Sequence, residues 1–257
     1  MIRVLGGSTK FDNVYRIILS MKALTCPNCG ASLPAHAMKA DFAVCEFCGT
    51  TFRMSKTHTP EPDMGDLLIG ADFGSDTLPG WELVKDGEIK FHKGSPSELR
   101  GLYKPRVDSY YVLISSGFLD DFDASITIKF TEGDEKLITA GFFPRLTNEG
   151  GYAVYISPLG SYNIGYFTKD TTNNRLKWNT LVDWTSHSSL RKGLNVTNRL
   201  RVICDGEKMR VYLNGVLATS LKDSHYTMGK LHVIVEPNGD TNLGIAFSDL
   251  QVREIAK

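Results

Sequence analysis

From residue 66 onward, short runs rich in β-branched and aromatic residues recur about every ten residues, separated by Gly, Asn, Asp and Pro. The plainest runs are 110–114, 125–130, 140–143, 152–156, 162–167, 200–204, 209–213, 231–235 and 244–252. Two hairpin turns are explicit. Asp205-Gly206 joins the runs at 200 and 209, and Asn214-Gly215 joins 209–213 to 216–219; both dipeptides suit turn positions with positive φ. No convincing helical run exceeds two turns. Successive antiparallel strands over 66–257 predict an all-β chain folded as a two-sheet sandwich or jelly roll.

Ahead of this region the composition changes. Residues 1–60 hold seven basic and three acidic side chains, a net of +4, whereas 61–257 hold 22 and 26, a net of −4. The shift coincides with a polar stretch carrying Pro60 and Pro62, so residues 54–65 are expected to be a linker between two domains. Over the whole chain Lys+Arg and Asp+Glu are both 29, which gives no electrostatic pull toward nucleic acid or an anionic membrane. No apolar run is long enough to span a bilayer. The nearest candidate for a signal peptide, residues 14–19, is interrupted by Arg16 and too short. A cytoplasmic location is therefore expected.

The first domain is defined by cysteines. Cys26 and Cys29 form one C-x2-C pair, Cys45 and Cys48 another, with fifteen residues between the pairs. Each pair on a tight turn aims two thiolates at one point, and Gly30 and Gly49 permit the positive-φ step that closes it. The four sulfurs match the tetrahedral set that Zn2+ takes in structural sites, with no position left for a catalytic water. A disulfide pair would need an oxidising compartment, and a redox C-x-x-C would not come as a spaced duplicate. A domain of about thirty residues also needs the metal to fold. The segment 21–53 resembles the short N-terminal zinc ribbons of many bacterial and archaeal proteins. In those the first ligand follows soon after the initiator methionine, so Met21 is the expected start and residues 1–20 an extension. The alternative is an N-terminal arm, with Val14, Ile17 and Ile18 at helical spacing.

The second domain carries a resemblance of its own. Gly80-Trp-Glu-Leu-Val-Lys-Asp-Gly-Glu-Ile89 is similar to the opening of concanavalin A-like, laminin G-type jelly rolls, most of all the bacterial branch with 3-keto-disaccharide hydrolase-like domains. Gly151-Tyr-Ala-Val-Tyr-Ile156, Gly160-Ser-Tyr-Asn-Ile164 and Trp178-Asn-Thr-Leu-Val-Asp-Trp184 follow in the family's order, then Asn198-Arg-Leu-Arg-Val-Ile-Cys-Asp-Gly206 and Arg210-Val-Tyr-Leu-Asn-Gly-Val216. The resemblance implies the fold, and a family of mostly non-catalytic binding modules with some glycan-acting enzymes. Fold alone does not give function.

Laminarinase-type glycanases on this fold set three carboxylates on one strand face as E-x-D-x-E or E-x-D-x-x-E, where alternate residues flank the bond. Glu132 and Asp134 have the first offset, but Lys136 or Leu137 takes the third place, and Gly133 favours a solvated turn. Asp120, Asp121 and Asp123 offer oxygens of the type Ca2+ takes; an acidic turn ahead of a strand is the preferred reading. His187 among Ser186, Ser188 and Ser189 reads as a polar loop, and Cys204 as a small buried hydrophobe. The sequon at Asn195 has no secretory context, His36, His58, His92, His225 and His232 form no ligand spacing, and no phosphate-binding glycine loop occurs.

Binding remains. Aromatic rings with Arg and Asn neighbours make sugar platforms and protein interfaces, and 142–184 is rich in them. Along 152–156, Tyr152, Val154 and Ile156 share the more apolar face and Tyr155 the other. Arg145, Tyr155 and Trp178 are the residues expected on one solvent-accessible concave face. The expected protein is a non-catalytic recognition or scaffolding module, its jelly roll gripping a glycan or protein and its zinc ribbon mediating protein contact. A hydrolase of small glycosides is the alternative.

Overall fold

The computed structural model describes residues 29, 31, 38–39, 42–53, 61–106, 109–170 and 176–256. The expectations for residues 1–20, Met21, Cys26 and Gly30 lie outside them. The chain divides into two units, Met1–His58 and Thr59–Lys257. No helix occurs among the described residues, and none is long and apolar enough to cross a membrane.

The first unit contains β1 (Met38–Lys39), β2 (Phe42–Val44) and β3 (Thr51–Arg53), an antiparallel sheet in that order. Met38 pairs with Ala43, and Phe42 with Arg53. Between β2 and β3 the Cys45/Cys48 turn closes as its sequence requires. The Gly49 amide donates to the Cys45 carbonyl at 2.8 Å, the Cys45 amide donates to Thr50 O at 3.0 Å, and Gly49 sits at φ 68°.

Among the described residues the second unit is a sandwich of fifteen strands. In chain order they begin with β4 (Met64–Ala71), β5 (Trp81–Leu83), β6 (Glu88–His92), β7 (Glu98–Tyr103) and β8 (Tyr110–Ser115). Then come β9 (Phe122–Glu132), β10 (Ile138–Leu146), β11 (Gly150–Ile156), β12 (Ser161–Lys169) and β13 (Leu176–Ser186). The last five are β14 (Thr197–Asp205), β15 (Lys208–Leu213), β16 (Val216–Lys222), β17 (Lys230–Pro237) and β18 (Leu243–Ile255). One antiparallel sheet runs β13-β12-β11-β10-β17-β8-β5. The other runs β16-β15-β14-β9-β18-β7-β6, with β4 on β18 beyond the end of β7.

Between the sheets lies one apolar core, and strand alternation explains its membership. On β11, Tyr152, Val154 and Ile156 point into it, while Ala153 and Tyr155 point outward to a second cluster with Phe143, Leu146, Phe167 and Ile234. The two faces expected for residues 152–156 are those observed. The Asn214-Gly215 hairpin is also as expected, with φ 51° and 81°. The other turn sits one residue later: Asp205 stays in β14 opposite Lys208, leaving Gly206, at φ 54°, and Glu207 as the turn.

The expected linker extends too far. Residues 61–65 belong to the sandwich, because two arginines on the outer face of the eight-stranded sheet need acceptors. Arg199 donates to Glu61 at 3.0 Å, and buried Arg201 donates to Pro62 O at 2.9 Å and to Asp123 Oδ1 at 2.7 Å. The acidic stretches read as turns and strand starts. Asp121 accepts from the Gly206 amide at 2.7 Å, and Asp123 lies inside β9. After Glu132 the chain turns at Gly133, φ 128°, and the Lys136 amide donates to Asp134 at 2.9 Å. Cys204 is fully buried, which pushes its thiol up to about 12. His187 Nδ1 lies 2.7 Å from Ser189 Oγ, which donates to Leu213 O at 2.7 Å, a loop contact.

Candidate functional site

The outer face of the seven-stranded sheet is where chemistry collects. The Trp178 indole closes on Gly165 of the neighbouring strand: a Cβ at Gly165 would sit 2.3 Å from the ring. Absence of a side chain there is what lets the ring lean across the sheet. Its Nε1 donates to Thr180 Oγ1 at 2.9 Å, and its centroid lies 6.2 Å from that of Tyr155. The ring remains 41% exposed, as a stacking surface must.

Tyr155 lies in the floor of the same cleft but is only 7% exposed, so it is not the open platform expected of it. Its hydroxyl donates to Glu236 Oε1 at 2.6 Å. Ser109 donates to the same oxygen, and Thr139 lies 3.5 Å from the other. Burial, with the Glu236 charge beside it, holds the Tyr155 phenol well above its usual range, so it stays a donor. Around these groups is a cleft of about 400 Å3, lined also by Asn163, Asp183, Trp184 and Asn238. Asn163 is buried and donates to Val182 O at 3.0 Å; Trp184 and Asp183 are exposed.

Arg145 is not on this surface. It is 2% exposed, in a left-handed backbone conformation (φ 53°), where the β10–β17 register shifts between Phe143 and Leu146. That bulge interrupts strand alternation and turns the guanidinium toward the loops. Nε and Nη2 donate to Asp120 O at 2.9 and 2.7 Å, and Nη1 donates to Gly206 O at 2.8 Å and Tyr226 O at 3.1 Å. Asp121 adds an ion pair at 3.2 Å. The residue ties three loops together.

Sequence reasoning missed Glu236, Thr139 and Asn163. A signal for Glu236 existed: along 231–235 the core takes Leu231, Val233 and Val235, so His232, Ile234 and Glu236 must share the opposite face. Which strands would flank it was not local information.

The same face continues along the strands into a second cleft of about 850 Å3, bordered by His232. Burial, reinforced by Lys230, lowers the His232 imidazole to about 4, so it is neutral at pH 7. Among the described residues its Nδ1 has no hydrogen-bond partner.

No protein-family model matches the chain, and no curated protein matches it in sequence. Solved structures do resemble it. The Crh5 transglycosylase matches with a TM-score of 0.53 at 12% identity over 78% of this chain and 90% of that one. A glycoside hydrolase family 16 endo-glucanase from Bacteroides ovatus gives 0.52 at 9%, over 72% and 100%. The binding domain of botulinum neurotoxin DC, solved in complex with SialylT, gives 0.51 at 13% over 75% of this chain and 48% of that one. The sandwich is a concanavalin A-like jelly roll. At these identities the likeness speaks for the fold alone.

In the first unit, Cys29, Cys45 and Cys48 bring their sulfurs within 4.8 Å of one another, Cys29 to Cys45 at 3.6 Å. Tetrahedral Zn–S bonds of about 2.3 Å set sulfurs about 3.8 Å apart, so these three fit a zinc centre. Cys26, the fourth expected ligand, lies outside the described residues.

Proposed function

We propose that the jelly roll is a carbohydrate-binding module that takes sugar in the cleft between Trp178 and Glu236, and that the N-terminal unit is a structural zinc ribbon serving protein contact. The observation that carries the sugar reading is Trp178: a half-exposed indole seated on a glycine, beside a cleft of carboxylate, amide and hydroxyl groups. An apolar sugar face stacks on such a ring while its hydroxyls meet polar groups alongside. Glu236 already accepts from Tyr155 and Ser109. A carboxylate so anchored is suited to accept from a sugar hydroxyl in a fixed direction. The structures resembling this chain include carbohydrate-active enzymes and a glycan-complexed binding domain, which supports the reading without separating binding from turnover.

In the ribbon, Cys26, Cys29, Cys45 and Cys48 would hold one Zn2+, whose part is to fix the fold. Cysteines at the spacing of a zinc site suit a reducing compartment, and the cytoplasm is the location this reading implies.

Hydrolysis of small glycosides is the second reading, favoured by one observation. Glu236 and Asp183 bring two carboxylates from different strands to one cleft. The test screens the full chain on a glycan array and scores retention and sugar release in the same samples. Retention without release, weakened about tenfold or more in Trp178→Ala, is expected; a tenfold loss is 1.4 kcal/mol. Release that disappears in Glu236→Gln would replace binding with hydrolysis. A blank array would overturn the sugar reading.

A further inference from the structure

The second cleft differs in chemistry from the first although both open on one face. Its walls are Tyr111, Ile114, Phe118, Leu146, Phe167 and Leu176. Leu176 is 65% exposed and Phe118 60%, apolar side chains facing water at the rim of a concavity. Sugar hydroxyls would find few partners against these walls. Thr147, Asn148 and neutral His232 also line it, and its charged groups are Lys169, Lys230 and Glu149, leaving it cationic by one, whereas the sugar cleft carries Glu236 and Asp183.

The clefts are joined by rings. Trp178 lies 6.2 Å from Tyr155, Tyr155 5.9 Å from Phe143, Phe143 6.2 Å from Tyr111, and Tyr111 4.9 Å from His232. Phe167 abuts Phe143 at 5.1 Å. Lys230 at one cleft and Glu236 at the other lie on one strand, six residues or about 20 Å apart. A single ligand of that length would meet a polar, anionic end and an apolar, mildly cationic one.

We infer that the 850 Å3 cleft receives an apolar group, an alkyl chain or aromatic ring, attached to the sugar, so that the ligand is an amphipathic glycoconjugate, neutral or anionic at its apolar end. The volume is in the range of small-molecule sites, and exposed Leu176 and Phe118 gain a partner when it fills. The inference rests on the sugar reading for its polar end only.

The experiment is designed to separate the two. Methyl, butyl and octyl glycosides of the array-selected sugar are titrated into the full chain below their micelle concentrations. Each added methylene should tighten binding about threefold to fourfold, the equivalent of 0.8 kcal/mol per buried CH2. Leu176→Asp and Phe118→Asp, both at exposed positions, should flatten that series while leaving the methyl glycoside unchanged. Equal affinities across the series in the wild type would overturn the inference and leave the sugar site standing. If no sugar binds, anilinonaphthalene sulfonate, an apolar aromatic anion, tests the cleft alone. Saturable binding at one site, lost in Leu176→Asp and kept in Trp178→Ala, supports an apolar site; its absence overturns it.

Discussion

At the scale of single residues, Arg145 shows how backbone geometry can override side-chain chemistry. Its place in an aromatic-rich stretch suggested a ligand contact, but a left-handed bulge turned it inward, where it saturates loop carbonyls. Arg145→Ala should destabilise the sandwich by about 2–4 kcal/mol, because it strips the hydrogen bonds that hold three loop carbonyls and empties a packed site. Urea unfolding would measure this. Lysine at 145 should recover only part, since it lacks the planar fork that reaches Asp120, Gly206 and Tyr226 together. His232 makes a pH prediction. Its folded value, about 4, lies below the ordinary 6.5, so the unfolded chain binds the extra proton between those values. Its contribution to stability is therefore complete above pH 6.5 and is lost as pH falls toward 4. The full loss is roughly 3 kcal/mol by linkage. His232→Phe should flatten the stability profile in that window, measured as urea midpoint against pH.

At the scale of elements, two positions depend on what a neighbouring strand leaves open. Gly165 on β12 seats the β13 tryptophan; alanine there would meet the indole at 2.3 Å and the Asn179 carbonyl at 2.6 Å. Gly165→Ala should displace the ring and weaken sugar retention as much as Trp178→Ala does, with tryptophan fluorescence reporting the changed environment. Asn214 is the converse. It sits at φ 51° in the β15–β16 hairpin and donates to Ser189 O at 2.6 Å and Asn198 Oδ1 at 2.8 Å, while accepting from the Arg199 amide at 2.7 Å. Asn214→Gly keeps the turn but loses those bonds. Asn214→Ala loses both and should be worse by about 1 kcal/mol, the cost of a left-handed Cβ, readable as a lower thermal midpoint. The Asn-Gly pair was legible because a two-residue turn is a local event. The Trp178 seat was not, since Gly165 meets Trp178 only once β12 and β13 pair.

At the scale of the whole molecule, the N-terminal unit, proposed as a zinc ribbon, and the sandwich are separate units of the chain. Purified protein is expected to carry one zinc per chain by elemental analysis, with Cys45→Ser and Cys48→Ser each losing it. Chelation should abolish a metal-dependent transition and leave the sandwich's thermal midpoint unchanged. A midpoint that falls with chelation would show the two units to be thermodynamically coupled. The sequence by itself determined the all-β class, the inward face of β11, the Asn-Gly hairpin and the cysteine spacing. These depend on period-two alternation and on residues a few positions apart, so local chemistry decides them. Only the tertiary structure decided which side chains share a site. Glu236 meets Tyr155 on β11, Thr139 on β10 and Ser109 just ahead of β8, Trp178 meets Gly165, and Arg145 leaves the face at a bulge. Each of those outcomes depends on long-range register, and register is fixed by packing of the whole sandwich.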